Sequence, residues 1–343
     1  MTATASETLL DWYDRHARSL PWRTPPGSPR PSDDAYPYRV WLSEVMLQQT
    51  TVAAVKPYFE KFTHTWPTVF DLAEASDEDV MAAWAGLGYY SRARNLVKCA
   101  RVVAARGGFP ETEAELRELP GLGAYTAAAI ASIAFGQRAV VVDANVERVV
   151  SRLFLIDEPL PAARKVIRER AETITPDARA GDFAQSMMDL GSQVCTSRAP
   201  RCLLCPVSDL CEGKAAGQPE RLPVKPPKKA KPERRGRAFW IERAGKVWLV
   251  TRPGTGMLGG MRSLPDDGWS ARLDGSGEAP FEAQTQSLGA VRHTFTHAHL
   301  TLELVRIDGD TIPSGEGEWW PVSRLEDAGL PTLFAKAARL AVA

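Results

Sequence analysis

Four of the chain's five cysteines fall within seventeen residues, spaced Cys195-x6-Cys202-x2-Cys205-x5-Cys211. Thiolates set that close together can wrap one inorganic centre, and doing so fixes the path of the whole loop. A secreted disulfide framework would spread its cysteines in pairs, so ligation is the better reading of this odd set. Structural zinc usually takes two short pairs separated by a longer finger, and only Cys202 and Cys205 form such a pair. A [4Fe–4S] cluster accepts a wider, asymmetric loop. The spacing favours the cluster and leaves zinc or free thiols open. Arg198, Arg201 and Lys214 lie nearby, either to offset a negative cluster or to meet a phosphate backbone.

On either side of this loop the texture of the chain differs. Before it, apolar residues recur at spacings of three and four, as in Val40-Trp41-Val45-Met46 and Val80-Met81-Trp84, which predicts an all-α half ending near residue 194. Asp77 and Thr112 stand where N-caps belong, each followed by acidic residues. Residues 213–235 are rich in Pro, Lys and Arg, the composition of an exposed linker. Past it, Ala238–Glu242, Lys246–Val250 and the alternating Leu300–Val305 predict strands, and a helix is expected over Thr332–Val342. The expected organisation is a helical domain over 1–212, a linker over 213–235 and an α+β domain over 236–343.

With 42 basic and 42 acidic residues the chain is neutral, which argues mildly against nucleic acid. The distribution tempers that. From Lys225 to Arg243 the bases Lys225, Lys228, Lys229, Lys231, Arg234, Arg235, Arg237 and Arg243 face only Glu233 and Glu242. That run reads equally well as a basic solvated linker. Hydrophobic residues at 44% and charged residues at 24% suit a soluble globular protein, and no apolar run is long enough to span a membrane. A cytoplasmic location is expected.

Two short motifs carry the chemistry. Leu119-Pro-Gly121-Leu-Gly123-Ala-Tyr125 leads directly into an apolar helix, giving a hairpin over 119–135. Its glycines allow a tight turn whose amides point outward at a helix N-terminus, an arrangement that binds phosphate without side-chain charge. Such turns also simply join helix pairs. Eighteen residues past Tyr125, Asp143 in Val-Val-Asp143-Ala-Asn145 follows an apolar run and opens a helix, as an N-cap does.

Together with the cysteine loop, these motifs resemble the endonuclease III (helix-hairpin-helix) superfamily, and within it the A/G-specific adenine DNA glycosylases. The resemblance is close over residues 8–212 and looser over 236–340. It implies one [4Fe–4S] cluster on Cys195, Cys202, Cys205 and Cys211, and a monomer acting on double-stranded DNA with A:8-oxoguanine or A:G mispairs. It also assigns roles. Members that cleave the strand carry a lysine where this chain has Tyr125, so the reaction should be monofunctional. Glu44, in Val40-Trp-Leu-Ser-Glu44-Val-Met-Leu-Gln48-Gln49-Thr, stands where the adenine branch places its acid. Apolar neighbours should raise its pKa and keep it protonated near neutrality. Asp143 would stabilise the sugar cation, with Tyr125 and Asn145 supporting Asp143 and the attacking water. Gln48, Gln49, Leu87 and Tyr89, with Gly121 and Gly123, would contact DNA. Glu147 replaces a lysine found in some members.

The second domain resembles a Nudix-like module that reads 8-oxoguanine, although it lacks the acidic helix that holds magnesium for pyrophosphate hydrolysis. Phe295-Thr296-His297 matches a Phe-Ser-His loop that approaches the oxidised base, with threonine for serine. His293, His297 and His299 without an accompanying carboxylate or cysteine make a poor metal set. The loop from Thr24 to Pro37 reads as an insertion. Two other readings stay open: a bifunctional pyrimidine glycosylase, and a DNA-binding iron–sulfur sensor in which Glu44 and Asp143 do nothing.

Overall fold

A computed structural model describes residues 4–227, 230–253, 256–308 and 315–342. It divides into two units, Met1–Pro227 and Lys228–Ala343. Lys228 and Lys229 of the basic run lie outside the described residues.

The first unit is helical: α1 Ala5–His16, α2 Ala35–Leu47, α3 Val52–Thr65, α4 Val69–Glu74, α5 Asp77–Trp84, α6 Ser91–Arg106, α7 Glu113–Leu116, α8 Ala124–Phe135, α9 Ala144–Leu153, α10 Arg164–Ile174, α11 Ala180–Gln193 and α12 Glu212–Ala215. Thr112 caps α7 as the sequence suggests, its hydroxyl accepting from the Glu115 amide. The cap of α5 is Ser76 and not Asp77: the Ser76 hydroxyl takes the Asp79 amide, which leaves Asp77 in the first turn beside the helix dipole. Helix α8 is alanine-rich and buried on nearly every side, so small side chains let α2, α7 and α11 close around it.

The sequence reads residues from 213 onward as exposed linker, but 213–227 belong to this helical unit. Leu222 is buried, Arg152 Nε donates to its carbonyl, and the Leu160 amide donates to Val224 O. One buried leucine among Pro and Lys was masked by its neighbours' composition.

The second unit is a mixed sheet built from β1 Glu233–Arg243, β2 Lys246–Thr251, β3 Arg262–Ser263, β4 Gln284–Thr294, β5 His299–Asp308 and β6 Glu318–Pro321, followed by α13 Thr332–Val342. The strand order is β3-β2-β1-β5-β4, with β6 paired to β2 and β1 parallel to β5. Trp240, Leu300, Leu302 and Leu304 pack on Phe334 and Ala337 of α13. On the opposite face Phe239, Ile241, Val305 and Ile307 form a smaller core at one end only. Strand β4 carries no period-two pattern. Gln284–Ser287 are exposed, and the register slips between Ser287 and Gly289. No helix among the described residues is long and apolar enough to cross a membrane.

Candidate active site and nucleic-acid interface

Helices α2, α8, α9 and α11 enclose a cleft of about 960 Å³ in the first unit, lined by Glu44, Tyr125, Asp143, Asn145, Gln48 and Gln49 among others. Glu44 sits on α2, where every residue from Val40 to Met46 is buried, and its own exposure is 7%. Burial pushes its carboxyl up to about 7, with the Tyr125 hydroxyl pulling down, the Asp143 charge pushing up and Arg23 pulling down. A proton is therefore held at neutral pH without being locked in place.

Tyr125 Oη donates to Glu44 Oε2 at 2.7 Å. The sequence reading had Tyr125 supporting Asp143; its hydrogen bond goes to the acid, because the first turn of α8 faces α2, while the Asp143 charge also acts on it. Burial holds its hydroxyl well above the usual tyrosine range, so it stays a donor. Arg23, from Leu20-Pro-Trp22-Arg23, lines the same cleft and is ion-paired at 2.8 Å to the fully buried Asp189, which also takes Arg18 Nε at 2.6 Å. Nothing in the local sequence marks Asp189, which is separated from Arg23 by 166 positions.

Asp143 caps α9. Its Oδ1 accepts from the amides of Asn145 (2.9 Å) and Val146 (2.7 Å), and its Oδ2 from Asn145 Nδ2 (2.7 Å). Three donors leave this carboxylate one orientation. Asn145 is held in turn by Arg148 Nη2 on its Oδ1 at 3.0 Å, and by contact with α11. That contact requires Gly191: a Cβ there would stand 2.6 Å from the Cβ of Asn145. Glu147 pairs with Arg164 at 3.3 Å. Among the described residues no lysine lines the cleft.

At the hairpin, Gly121 adopts φ +80°, and a Cβ there would meet Asn95 Cβ at 2.8 Å, so only glycine fits the turn. Gly123 is the N-cap of α8 and is open to solvent, leaving the amides of that helix start accessible. Gln48 donates to Thr126 Oγ1 at 3.2 Å, while exposed Gln49 has φ 58°. Tyr89, at φ 49°, is 47% exposed. Leu87 departs from the sequence expectation: it is 7% exposed and packs in the core, so its side chain anchors this turn and does not face a duplex. Both turns hang on Arg92, which the sequence did not single out. Its guanidinium donates to the carbonyls of Val45, Met46, Leu87 and Gly88 and to Thr50 Oγ1. Burial brings its pKa down to about 10.

Cys195, Cys202, Cys205 and Cys211 line one small cavity with Arg152, Arg201 and Lys214 at its edge. Arg152 Nη1 donates to Cys195 Sγ at 3.3 Å and the Lys214 amide to Cys211 Sγ at 3.4 Å. Among the described residues no three His, Cys, Asp or Glu side chains close around a single ion. Four thiols facing a shared space, with cations beside it, fit a thiolate-ligated anionic group.

In the second unit the strands β4 and β5 are joined by a turn holding Phe295, Thr296 and His297, of which Thr296 and His297 are exposed. The residues just before this turn, Val291–Thr294, belong to β4. The Phe295 amide donates to Ala298 O, Phe295 packs on His293 and Trp269, and Lys231 Nζ donates to Phe295 O at 2.8 Å. The sequence placed Lys231 only within a basic run open to two readings, and its hold on the Phe295 carbonyl was not legible there.

These features coincide with known proteins. The family described as HhH-GPD superfamily base excision DNA repair protein matches residues 42–176, and a NUDIX domain matches 237–340. The human adenine DNA glycosylase is 36% identical over 405 aligned positions, which span 97% of this chain and 73% of the human protein. The adenine DNA glycosylase of Mycolicibacterium smegmatis is 41% identical over 62% of this chain and 70% of its own. A solved thermostable thymine-DNA glycosylase superposes with a TM-score of 0.54 at 30% identity, covering 62% of this chain and 95% of that one. A helical unit with a hairpin-bearing acidic cleft, followed by a Nudix-like sheet and aligned over 97% of its length with 73% of the human protein, leaves one assignment: the chain belongs to the adenine DNA glycosylases.

Proposed function

We propose that the chain removes adenine paired with 8-oxoguanine, or with guanine, from duplex DNA. Family membership carries the reaction class: hydrolysis of the adenine N-glycosidic bond in base excision repair. The observation that supports the residue roles is one cleft holding a carboxyl poised near 7 and a second carboxylate immobilised by three donors. Adenine leaves poorly as an anion, so its departure calls for an acid, and the sugar left behind calls for negative charge.

With the adenine turned out of the stack into the cleft, Glu44 gives its proton to N7. The C1′–N9 bond breaks and its electron pair leaves with the base. Asp143, held by Asn145, faces the developing oxocarbenium ion. A water adds to C1′ and passes its proton to the Glu44 carboxylate, giving an abasic site, free adenine and the acid restored. Tyr125 keeps the Glu44 carboxyl in place. Without a lysine lining the cleft among the described residues there is no amine there to form a Schiff base, which supports a reaction without strand cleavage.

The amides opened by Gly121 and Gly123 suit a backbone phosphate. Gln48, Gln49 and Tyr89 are placed to meet the duplex at the vacated position, and Phe295, Thr296 and His297 the oxidised guanine. Cys195, Cys202, Cys205 and Cys211 would hold one [4Fe–4S] cluster, whose bonds supply a rigid closure for a loop with little hydrophobic core of its own. The protein is expected to act as a monomer.

Single-turnover excision from an A:8-oxoguanine duplex tests the assignment. Glu44→Gln and Asp143→Asn should each lower the rate by about 100-fold or more. A near wild-type rate in either variant would sink it.

A further inference from the structure

On the face of the second unit's sheet away from α13, the register brings Arg235 of β1, Thr301 of β5 and Arg292 of β4 side by side. Residues directly opposite across neighbouring strands project to the same side. The two arginines are two strand spacings apart, about 10 Å. A cavity of about 440 Å³ opens on this row, lined also by Glu233, Arg234, Thr294 and His299.

What distinguishes the row is unused donors. Arg237, one step further along β1, spends its guanidinium on Glu303 at 2.9 Å and on Gly277 O at 2.6 Å. Arg234 donates to Ala271 O and approaches Asp274. The side chains of Arg235 and Arg292 have no acceptor among the described residues, and neither does the Thr301 hydroxyl. Glu233 is the one carboxylate lining the cavity. Elsewhere on this face Phe239, Ile241, Val305 and Ile307 are buried, whereas Arg235 and Arg292 are exposed and Leu300 is the one aliphatic side chain among the described residues that line the cavity.

The row also has a fixed relation to the Phe295–Ala298 turn. Arg292 lies two residues before the end of β4 and Thr301 two residues after the start of β5, about 7 Å along each strand. A base met by the turn has its own backbone within reach of these side chains. We propose that Arg235, Thr301 and Arg292 form a phosphodiester-binding row that seats the DNA backbone next to the base reached by Phe295, Thr296 and His297. This rests on the reading that the second unit engages the substrate duplex. Two guanidiniums bracketing a hydroxyl suit a phosphate, with charge from both sides and a neutral donor between. The contact is sequence-independent, and it gives a chain of zero net charge a local grip on DNA.

The test is equilibrium binding of the full-length protein to an A:8-oxoguanine duplex and to an undamaged duplex, each across a salt series. The double variant Arg235→Ala/Arg292→Ala should reduce the slope of log K against log salt by about 1–2, equally on both duplexes. Excision at saturating protein should be retained, since the residues that line the catalytic cleft all belong to the other unit. Arg235→Lys/Arg292→Lys should restore most of the slope, and Arg339→Ala, on α13, should leave it unchanged. An unaltered slope in the alanine pair, or an equal loss in Arg339→Ala, overturns the proposal. If the unmodified protein leaves the A:8-oxoguanine duplex intact, the functional reading fails instead, and the slope on undamaged DNA still judges the row.

Discussion

The Glu44 carboxyl loses its usual acidity because α2 offers it no water, and the Tyr125 hydroxyl only partly offsets that. The single-turnover rate of adenine release should hold at low pH and fall as pH rises through about 7, where the acid is lost. Tyr125→Phe removes a bond that favours the charged form, so the fall should move to higher pH; a shift the other way would show that the phenol acts elsewhere. The same proton enters stability. The folded pKa lies above the unfolded one, so the contribution is full below the unfolded value and lost as pH rises through about 7. Relative to the native protein, Glu44→Gln should therefore gain on the order of 2 kcal/mol between pH 5 and pH 8, measured by denaturant unfolding.

Among the elements, the crossing of α9 and α11 sets Asp143 through Asn145, and Gly191 sets the crossing. Gly191→Ala should cost about 1–3 kcal/mol of stability and should slow excision with little change in DNA affinity, since it displaces a carboxylate and no DNA contact. Equal losses in rate and affinity would contradict this. The sequence allowed the hairpin and the Asp143 cap to be read, because a Pro-Gly-x-Gly turn and a polar residue between an apolar run and a helix are local signals. Asp189 was not legible, since its meaning depends on Arg18 and Arg23 more than 160 positions away. Strand β4 was not legible either: it is an edge strand, largely exposed, with a register slip between Ser287 and Gly289 that leaves Leu288 unpaired in the ladder. Leu87 was misread because its motif lies in a surface turn while its side chain turns inward.

At the scale of the whole chain there are two units, each with its own core, and the proposed function divides chemistry and reading of the opposite base between them. A change in the reader should then alter preference and spare catalysis. Lys231→Met releases the Phe295 carbonyl and should lower the excision ratio of A:8-oxoguanine over A:G several-fold, leaving the A:G rate near native. A parallel drop on both substrates would place Lys231 in general DNA binding.

Arg92 couples two surface turns of the first unit. One cation fastens the end of α2, which carries Gln48 and Gln49, to the bend carrying Tyr89, using five acceptors and no carboxylate. Under the proposed function the two segments would meet a duplex as one stiff fork, and a lysine in that place, with three protons to give, would leave at least two of the five acceptors unserved and loosen both tines together.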